Sequence, residues 1–408
     1  MRMMNKKKVM SKKKDYIGQK HKRKYVQPGV CPGLLLLMLL LAFSGAGCAS
    51  RSTGGSQTLV SEDTGIKTGT EETGAERAGA ETDTQAVKEE KAGQGEMEPV
   101  SRDIFAMDTY MTLTAYGEGA DEALDAAVSE IERIENLVST GIDSSEIAVI
   151  NKNGSGPVSK DTEYLIERSE ELYEDTEGVF DITIYPVMEA WGFTSGEYRI
   201  PGEDELKNLL SNMGADQINC QEGAASVGKP GMKIDLGGIA KGYTSGRVMD
   251  IFREYGVDHA VISLGGNVQV RGDKPDGSSW RVAIENPENT AEYIGIVEVQ
   301  DKAVITSGGY ERYFEENGEV YHHIIDPSTG YPAKSGLISV SIVSADGTLA
   351  DGLSTSLFIM GKEEALDYWR EHAGEFDAIL VEEDGTVSVT EGIADSFSGD
   401  REWKTVHK

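Results

Sequence analysis

Four short segments of this chain carry residue types suited to chemistry on a phosphorylated ligand. Asp235-Leu236-Gly237-Gly238-Ile239-Ala240-Lys241-Gly242 sits between a strand-like stretch and a helical one. Paired glycines let backbone approach a ligand closely, and a helix start offers free N–H groups to an anion. Lys241 adds a point charge and Asp235 a hydrogen-bond acceptor. The pattern is neither the dinucleotide fingerprint nor a P-loop, so a plain turn is an alternative. Ser263-Leu264-Gly265-Gly266-Asn267 is a second strand followed by double glycine, which alone reads as a tight turn. Tyr321-His322-His323-Ile324-Ile325-Asp326-Pro327-Ser328-Thr329-Gly330 places two of the chain's 6 histidines beside Asp-Pro. One of them suits orienting a phosphate or acting as a general base, or simply a satisfied turn. The His-x-His and His-x3-His spacings of zinc ligands are absent here. In Ala350-Asp351-Gly352-Leu353-Ser354-Thr355, Asp351 and Thr355 share a helix face four residues apart. A carboxylate with a hydroxyl suits a hard cation, hence Mg²⁺ rather than zinc, unless Asp351 only caps the helix.

The elements that must hold these segments are read from periodicity. Partial alternation over Phe105–Tyr116 predicts one strand. Asp121–Val138 is an amphipathic helix with Leu124, Val128, Ile131 and Ile134 at spacings of three and four. Asp161–Asp175, Glu203–Asn212, Lys241–Tyr255, Leu353–Met360 and Glu363–Glu371 also read as helices. Strands are expected at Lys233–Leu236, Ala260–Leu264, Trp280–Ile284, Ile294–Val299, Ala303–Thr306 and Leu337–Val343. Ala378–Val381 and Val387–Thr390 form a hairpin across Glu-Glu-Asp-Gly-Thr. Helices mixed with antiparallel-type hairpins, without regular βα alternation or internal repeats, indicate an α+β fold.

Composition bounds the rest. The 408 residues carry a formal charge of -31, which argues against nucleic acid as a partner. A hydrophobic fraction of 38% is enough for a core, and 3 cysteines are too few for a disulfide scaffold. The charge is uneven. Residues 1–47 hold 11 Lys and Arg against one acid, and the basic run precedes ten apolar residues from Leu34 to Phe43. That length fits a signal-peptide core and is short for a bilayer span. Ser44-Gly45-Ala46-Gly47 then leads to Cys48, an order that resembles a bacterial lipoprotein signal cut before a lipid-modified cysteine. The alternative is an uncleaved anchor; either arrangement puts the remainder outside the cytoplasmic membrane. From Cys48 to residue 100 the chain reads as an acidic tether, with 11 acids, 5 bases and no Trp, Phe or Tyr. Such a spacer has a root-mean-square reach of about 40–60 Å. The globular part is expected over residues 101–408.

Taken in order, the segments resemble the ApbE family, the FAD:protein FMN transferases. The resemblance also rests on Met107-Asp108-Thr109, Ser145-Glu146-Ile147 with Asn151, Gly178-Val179-Phe180-Asp181-Ile182-Thr183, Trp191-Gly192-Phe193 and Thr306-Ser307-Gly308. It covers roughly residues 102–400. One departure is Gly141 after Ser139-Thr140, where the family often has Tyr.

The resemblance implies a single T-fold-like α+β domain with mixed and antiparallel sheets and flanking helices. Its flavin site would take Met107, Val179, Phe180, Asp181, Asp235, Lys241, His323 and Ile324. Its Mg²⁺ site would take the main-chain oxygen of Gly238 with Asp351 and Thr355. The implied reaction moves FMN from FAD to a Ser or Thr hydroxyl of an acceptor protein, with AMP leaving. In it Lys241 supports the phosphates and His323 is the favoured base. The acceptor would belong to a membrane electron-transfer complex, met by an enzyme lipid-anchored at Cys48. Two other functions use the same residues: Mg²⁺-dependent hydrolysis of FAD to FMN and AMP, and flavin binding by a lipoprotein without catalysis.

Overall fold

The computed structural model describes residues 97–408. The basic leader, Cys48 and nearly all of the acidic spacer lie outside the described residues.

Nine strands lie side by side in chain order: β1 (Pro99–Ala106), β2 (Thr109–Tyr116), β3 (His259–Leu264), β4 (Asn267–Arg271), β5 (Ala303–Gly308), β6 (Leu337–Ser344), β7 (Phe376–Glu382), β8 (Val387–Thr390) and β9 (Trp403–Val406). Every neighbouring pair is antiparallel except β8 and β9. Alternation along the strands sorts their side chains into two cores. Ala303 and Ile305 of β5, with Val340 and Ile342 of β6, face a helical layer. Val304 and Val343 face the other way, onto a three-stranded sheet built from Trp280–Glu285, Tyr293–Val299 and Phe397–Ser398. This is the α+β architecture expected from the sequence.

The helical layer contains α1 (Ala120–Val138), α2 (Lys160–Asp175), α3 (Ala240–Glu254) and α4 (Gly347–Met360). Helix α1 buries Leu124, Ala127, Ile131, Ile134 and Val138, one stripe at helical spacing. Helix α4 is buried almost all round, so it runs through the core rather than over it. It starts at Gly347, six residues before the predicted start, because Asp346 accepts the N–H groups of Thr348 and Leu349. Asp346 rather than Asp351 is therefore the helix cap.

Two predicted strands differ in the structure. Phe105–Tyr116 is a hairpin, not one strand: Ala106 pairs with Thr109 across a two-residue turn of Met107 and Asp108. Both turn residues are left-handed, with φ of 49° and 59°. Glycine normally takes such positions, which hid the turn from composition. Lys233–Leu236 is extended but joins no sheet. The amide of Asn151 bonds both the N–H and the C=O of Ile234, at 2.7 and 2.8 Å, and the N–H of Asp235 donates to the carbonyl of Ile182. Both backbone groups of Ile234 are thus satisfied by a side chain instead of a strand partner.

Candidate functional site

The site gathers at one end of the large sheet. The Met107–Asp108 turn and the Gly265–Gly266 turn lie side by side there, since Met111 pairs with Leu264 and a Cβ on Gly265 would fall 2.2 Å from the Thr109 hydroxyl. Met107 is fixed by its N–H, which donates to Glu135 at 2.7 Å. Its sulfur accepts from Thr244 of α3 at 3.9 Å.

Helices α3 and α4 cross at two glycines. A Cβ on Gly242 would sit 2.1 Å from the Gly347 carbonyl and 2.6 Å from Cβ of Asp351, so the crossing requires glycine. This close approach lets Asp351, in the second turn of α4, reach the first turn of α3. Its Oδ2 accepts the Gly242 N–H at 2.8 Å, and its Oδ1 accepts from Nδ2 of Asn267 at 3.0 Å. Asp351 is only 6% exposed. One turn further on, Thr355 shares a hydrogen bond of 3.1 Å with Ser307 at the end of β5, and Ser307 also meets Ser354 at 2.8 Å. Three of the four sequence segments, together with Thr306-Ser307-Gly308, therefore meet around one buried carboxylate.

The donors here fit a hard cation. The Asp351 carboxylate and the Thr355 hydroxyl are oxygen ligands of the kind such an ion takes. Each Asp351 oxygen accepts one of these two hydrogen bonds and keeps a lone pair. Among the described residues no group of three His, Cys, Asp or Glu side chains is placed to hold a metal.

The fourth segment closes the site from a hairpin the sequence reading missed, Tyr313–Glu316 with Glu319–His322. Its Asn317-Gly318 turn was the available signal. The hairpin is docked by stacked aromatics: Phe314 lies 5.0 Å from Tyr198 and 5.3 Å from Tyr321, and Trp191 donates its indole N–H to the Gly330 carbonyl at 2.7 Å. The two histidines then separate in role. His322 donates from Nε2 to the Ala333 carbonyl and sets its ring edge against Phe358, so it packs structurally. His323 bonds the Arg312 carbonyl twice, through its N–H at 3.0 Å and its Nδ1 at 3.1 Å. A carbonyl can only accept, so Nδ1 carries the proton and Nε2 keeps its lone pair. Desolvation first, and then the Arg312 cation, push the His323 pKa down to about 3.

Lys241 lies in the first turn of α3, and its charge acts on both Asp235 and His323. Asp235 accepts the Gly237 N–H at 2.8 Å. Burial raises its pKa, against the pull of that bond, Arg312 and Lys241. Asp181 accepts from the N–H and hydroxyl of Thr183 at 2.8 and 2.6 Å, and burial again raises its pKa. Val179 and Asp181 also line a cavity of about 430 Å³ shared with Tyr173, Asp326, Ser328 and Met360. Phe180 and Ile324 are buried in the main core, at 6% and 4% exposure. The Phe180 ring lies 3.3 Å from where a Cβ on Gly238 would stand and 3.6 Å from one on Gly352, so it wedges the glycine turn against α4.

Residues 107–380 match the ApbE family. A FAD:protein FMN transferase of Treponema pallidum (strain Nichols) is 32% identical over 327 residues, covering 74% of this chain and 90% of that protein. The chain belongs to the ApbE family. A Klebsiella pneumoniae (strain 342) FAD:protein FMN transferase is 34% identical to this ApbE-family chain over 268 residues, covering 64% of it and 83% of the relative. The crystal structure of the ApbE protein from Thermotoga maritima superposes with a TM-score of 0.69 at 31% identity, covering 75% of this chain and 100% of that one. Every segment from which the ApbE resemblance was read, between Met107 and Thr355, lies within the matched stretch.

Proposed function

We propose that this chain is an FAD:protein FMN transferase that uses Mg²⁺. The acceptor's Ser or Thr hydroxyl oxygen attacks the FMN-side phosphorus of FAD. A phosphoester bond forms, the pyrophosphate P–O bond breaks, and AMP leaves with the electron pair. Asp351, Thr355 and the Gly238 carbonyl would hold the ion. When bound, Mg²⁺ supplies Lewis-acid neutralisation of charge on the phosphate oxygens. Lys241 holds the phosphates electrostatically, aided by the N–H groups at the start of α3. His323 takes the hydroxyl proton at Nε2. The cations that depress its basicity are the ones a pyrophosphate would neutralise, so FAD binding itself raises the proton affinity of the base.

Support comes above all from the convergence on Asp351, in a chain whose relatives carry that activity in their names. Incubating the protein with FAD and Mg²⁺, with and without an acceptor domain, tests it. Flavin fluorescence that stays with the acceptor in a denaturing gel, matched by AMP release, is expected. AMP without a labelled band would replace transfer with hydrolysis, and neither product would leave a flavin-binding protein. The site of action is proposed to be extracytoplasmic, at a membrane reached through lipid on Cys48, with an acceptor from an electron-transfer complex. A mature N-terminal mass that begins elsewhere than Cys48 would overturn the anchor.

A further inference from the structure

The chain is strongly acidic, and the arginines of its described residues are almost all neutralised. Of the 11 in the described residues, 10 form ion pairs with carboxylates. The exception is Arg312. Among the described residues no carboxylate lies within ion-pair distance of its guanidinium, and its side chain takes part in none of their hydrogen bonds. Its position is nevertheless fixed, because its carbonyl receives both bonds from His323. It stands five residues after Ser307, whose hydroxyl meets Thr355, so its loop runs from the cation-binding corner to the histidine corner. Its charge acts on Asp235 and His323, the same two groups that Lys241 acts on. A guanidinium left unpaired among the described residues of an acidic protein, its charge felt by the same two groups that feel Lys241, is suited to a polyanion rather than to stability. Its planar fork suits two phosphate oxygens at once, which a lysine cannot match.

We infer that Arg312 is a substrate-binding residue that grips the pyrophosphate of FAD opposite Lys241. The inference rests on the proposed transferase reading, which supplies the pyrophosphate. Its test compares Arg312→Ala and Arg312→Lys with the unsubstituted full chain in fluorescence titrations with FAD and with riboflavin, which has no phosphate. Loss of a charge-assisted phosphate contact corresponds to about a 10- to 100-fold weaker FAD affinity. Riboflavin affinity is expected to stay unchanged, Arg312→Lys to recover part of the loss, and the salt dependence of FAD binding to become shallower in Arg312→Ala. FAD affinity within threefold of the unsubstituted protein, or equal losses for FAD and riboflavin, would overturn the assignment. Failure of the unsubstituted protein to bind FAD would instead overturn the transferase reading.

Discussion

Replacing Asp351 with Asn separates its two jobs. The substitution keeps size and shape, so α3 and α4 can still cross at Gly242 and Gly347. One side-chain oxygen remains to accept the Gly242 N–H now bonded at 2.8 Å. The other position becomes an NH₂ facing Nδ2 of Asn267, now at 3.0 Å, and the Asn267 amide can turn to present its oxygen. Two charge-assisted bonds become neutral ones, at a cost of about 1–2 kcal/mol. That corresponds to a fall in Tm of about 2–4 °C for a domain of this size. The chemical cost is larger. On the proposed Mg²⁺ reading the site loses the carboxylate among its three ligands, and about 4 kcal/mol of transition-state stabilisation is about a thousandfold in rate. The assay is AMP release from FAD across a Mg²⁺ titration, run beside thermal melts. Asp351→Asn should melt slightly earlier, release AMP about a thousandfold more slowly and need far more Mg²⁺ for half its residual activity. AMP release within threefold of the unsubstituted rate at saturating Mg²⁺, together with the expected melting shift, would make Asp351 a helix fastener and nothing more.

Two further outcomes follow from the surroundings of the site. The His323 pKa is held at about 3, below its unfolded value near 6.5, so the unfolded chain binds the proton more readily. This contribution to stability is therefore complete above about pH 6.5 and is lost as pH falls toward 3; urea melts at pH 7.5 and pH 5 should show a smaller loss in His323→Gln than in the unsubstituted protein. Asn151→Ala orphans both backbone groups of fully buried Ile234 and should cost about 2–4 kcal/mol. It should also weaken FAD binding through the displaced Asp235, whereas a denaturation midpoint unchanged in urea would show that water replaces the amide.

Regular periodicity carried well from sequence to structure. Helix α1, the strands His259–Leu264, Trp280–Glu285, Tyr293–Val299, Ala303–Gly308 and Leu337–Ser344, and the hairpin Phe376–Glu382 with Val387–Thr390 lie where alternation or helical spacing put them, whereas Asn267–Arg271 and the Tyr313–His322 hairpin were missed. What failed did so where a side chain or an unusual dihedral replaced a repeating rule. Nothing local shows that Asn151 will serve as the strand partner of Ile234, 83 residues away. Met107 and Asp108 take left-handed φ values without glycine, held by Glu135 and Thr244 rather than by intrinsic preference. At the site, Asp351, Thr355 and the glycine turn were legible from residue type. Ser307 and Asn267 appeared in quoted motifs without a role, because their partners come from distant elements. Arg312 was invisible, since what distinguishes it is the absence of a partner that its fellow arginines possess.

The route of the polypeptide into the sheet fixes which way the reactive mouth points. The first strand starts at Pro99, opposite Tyr116, and runs its full eight residues before reaching the Met107 turn. Entry and mouth are thus separated by about 26 Å of extended chain. The proposed site therefore stands at the far end of the first strand from Pro99. On the proposed lipid-anchored reading, changing the number of residues before Pro99 should alter which hydroxyls come within range and leave the bond-making step untouched.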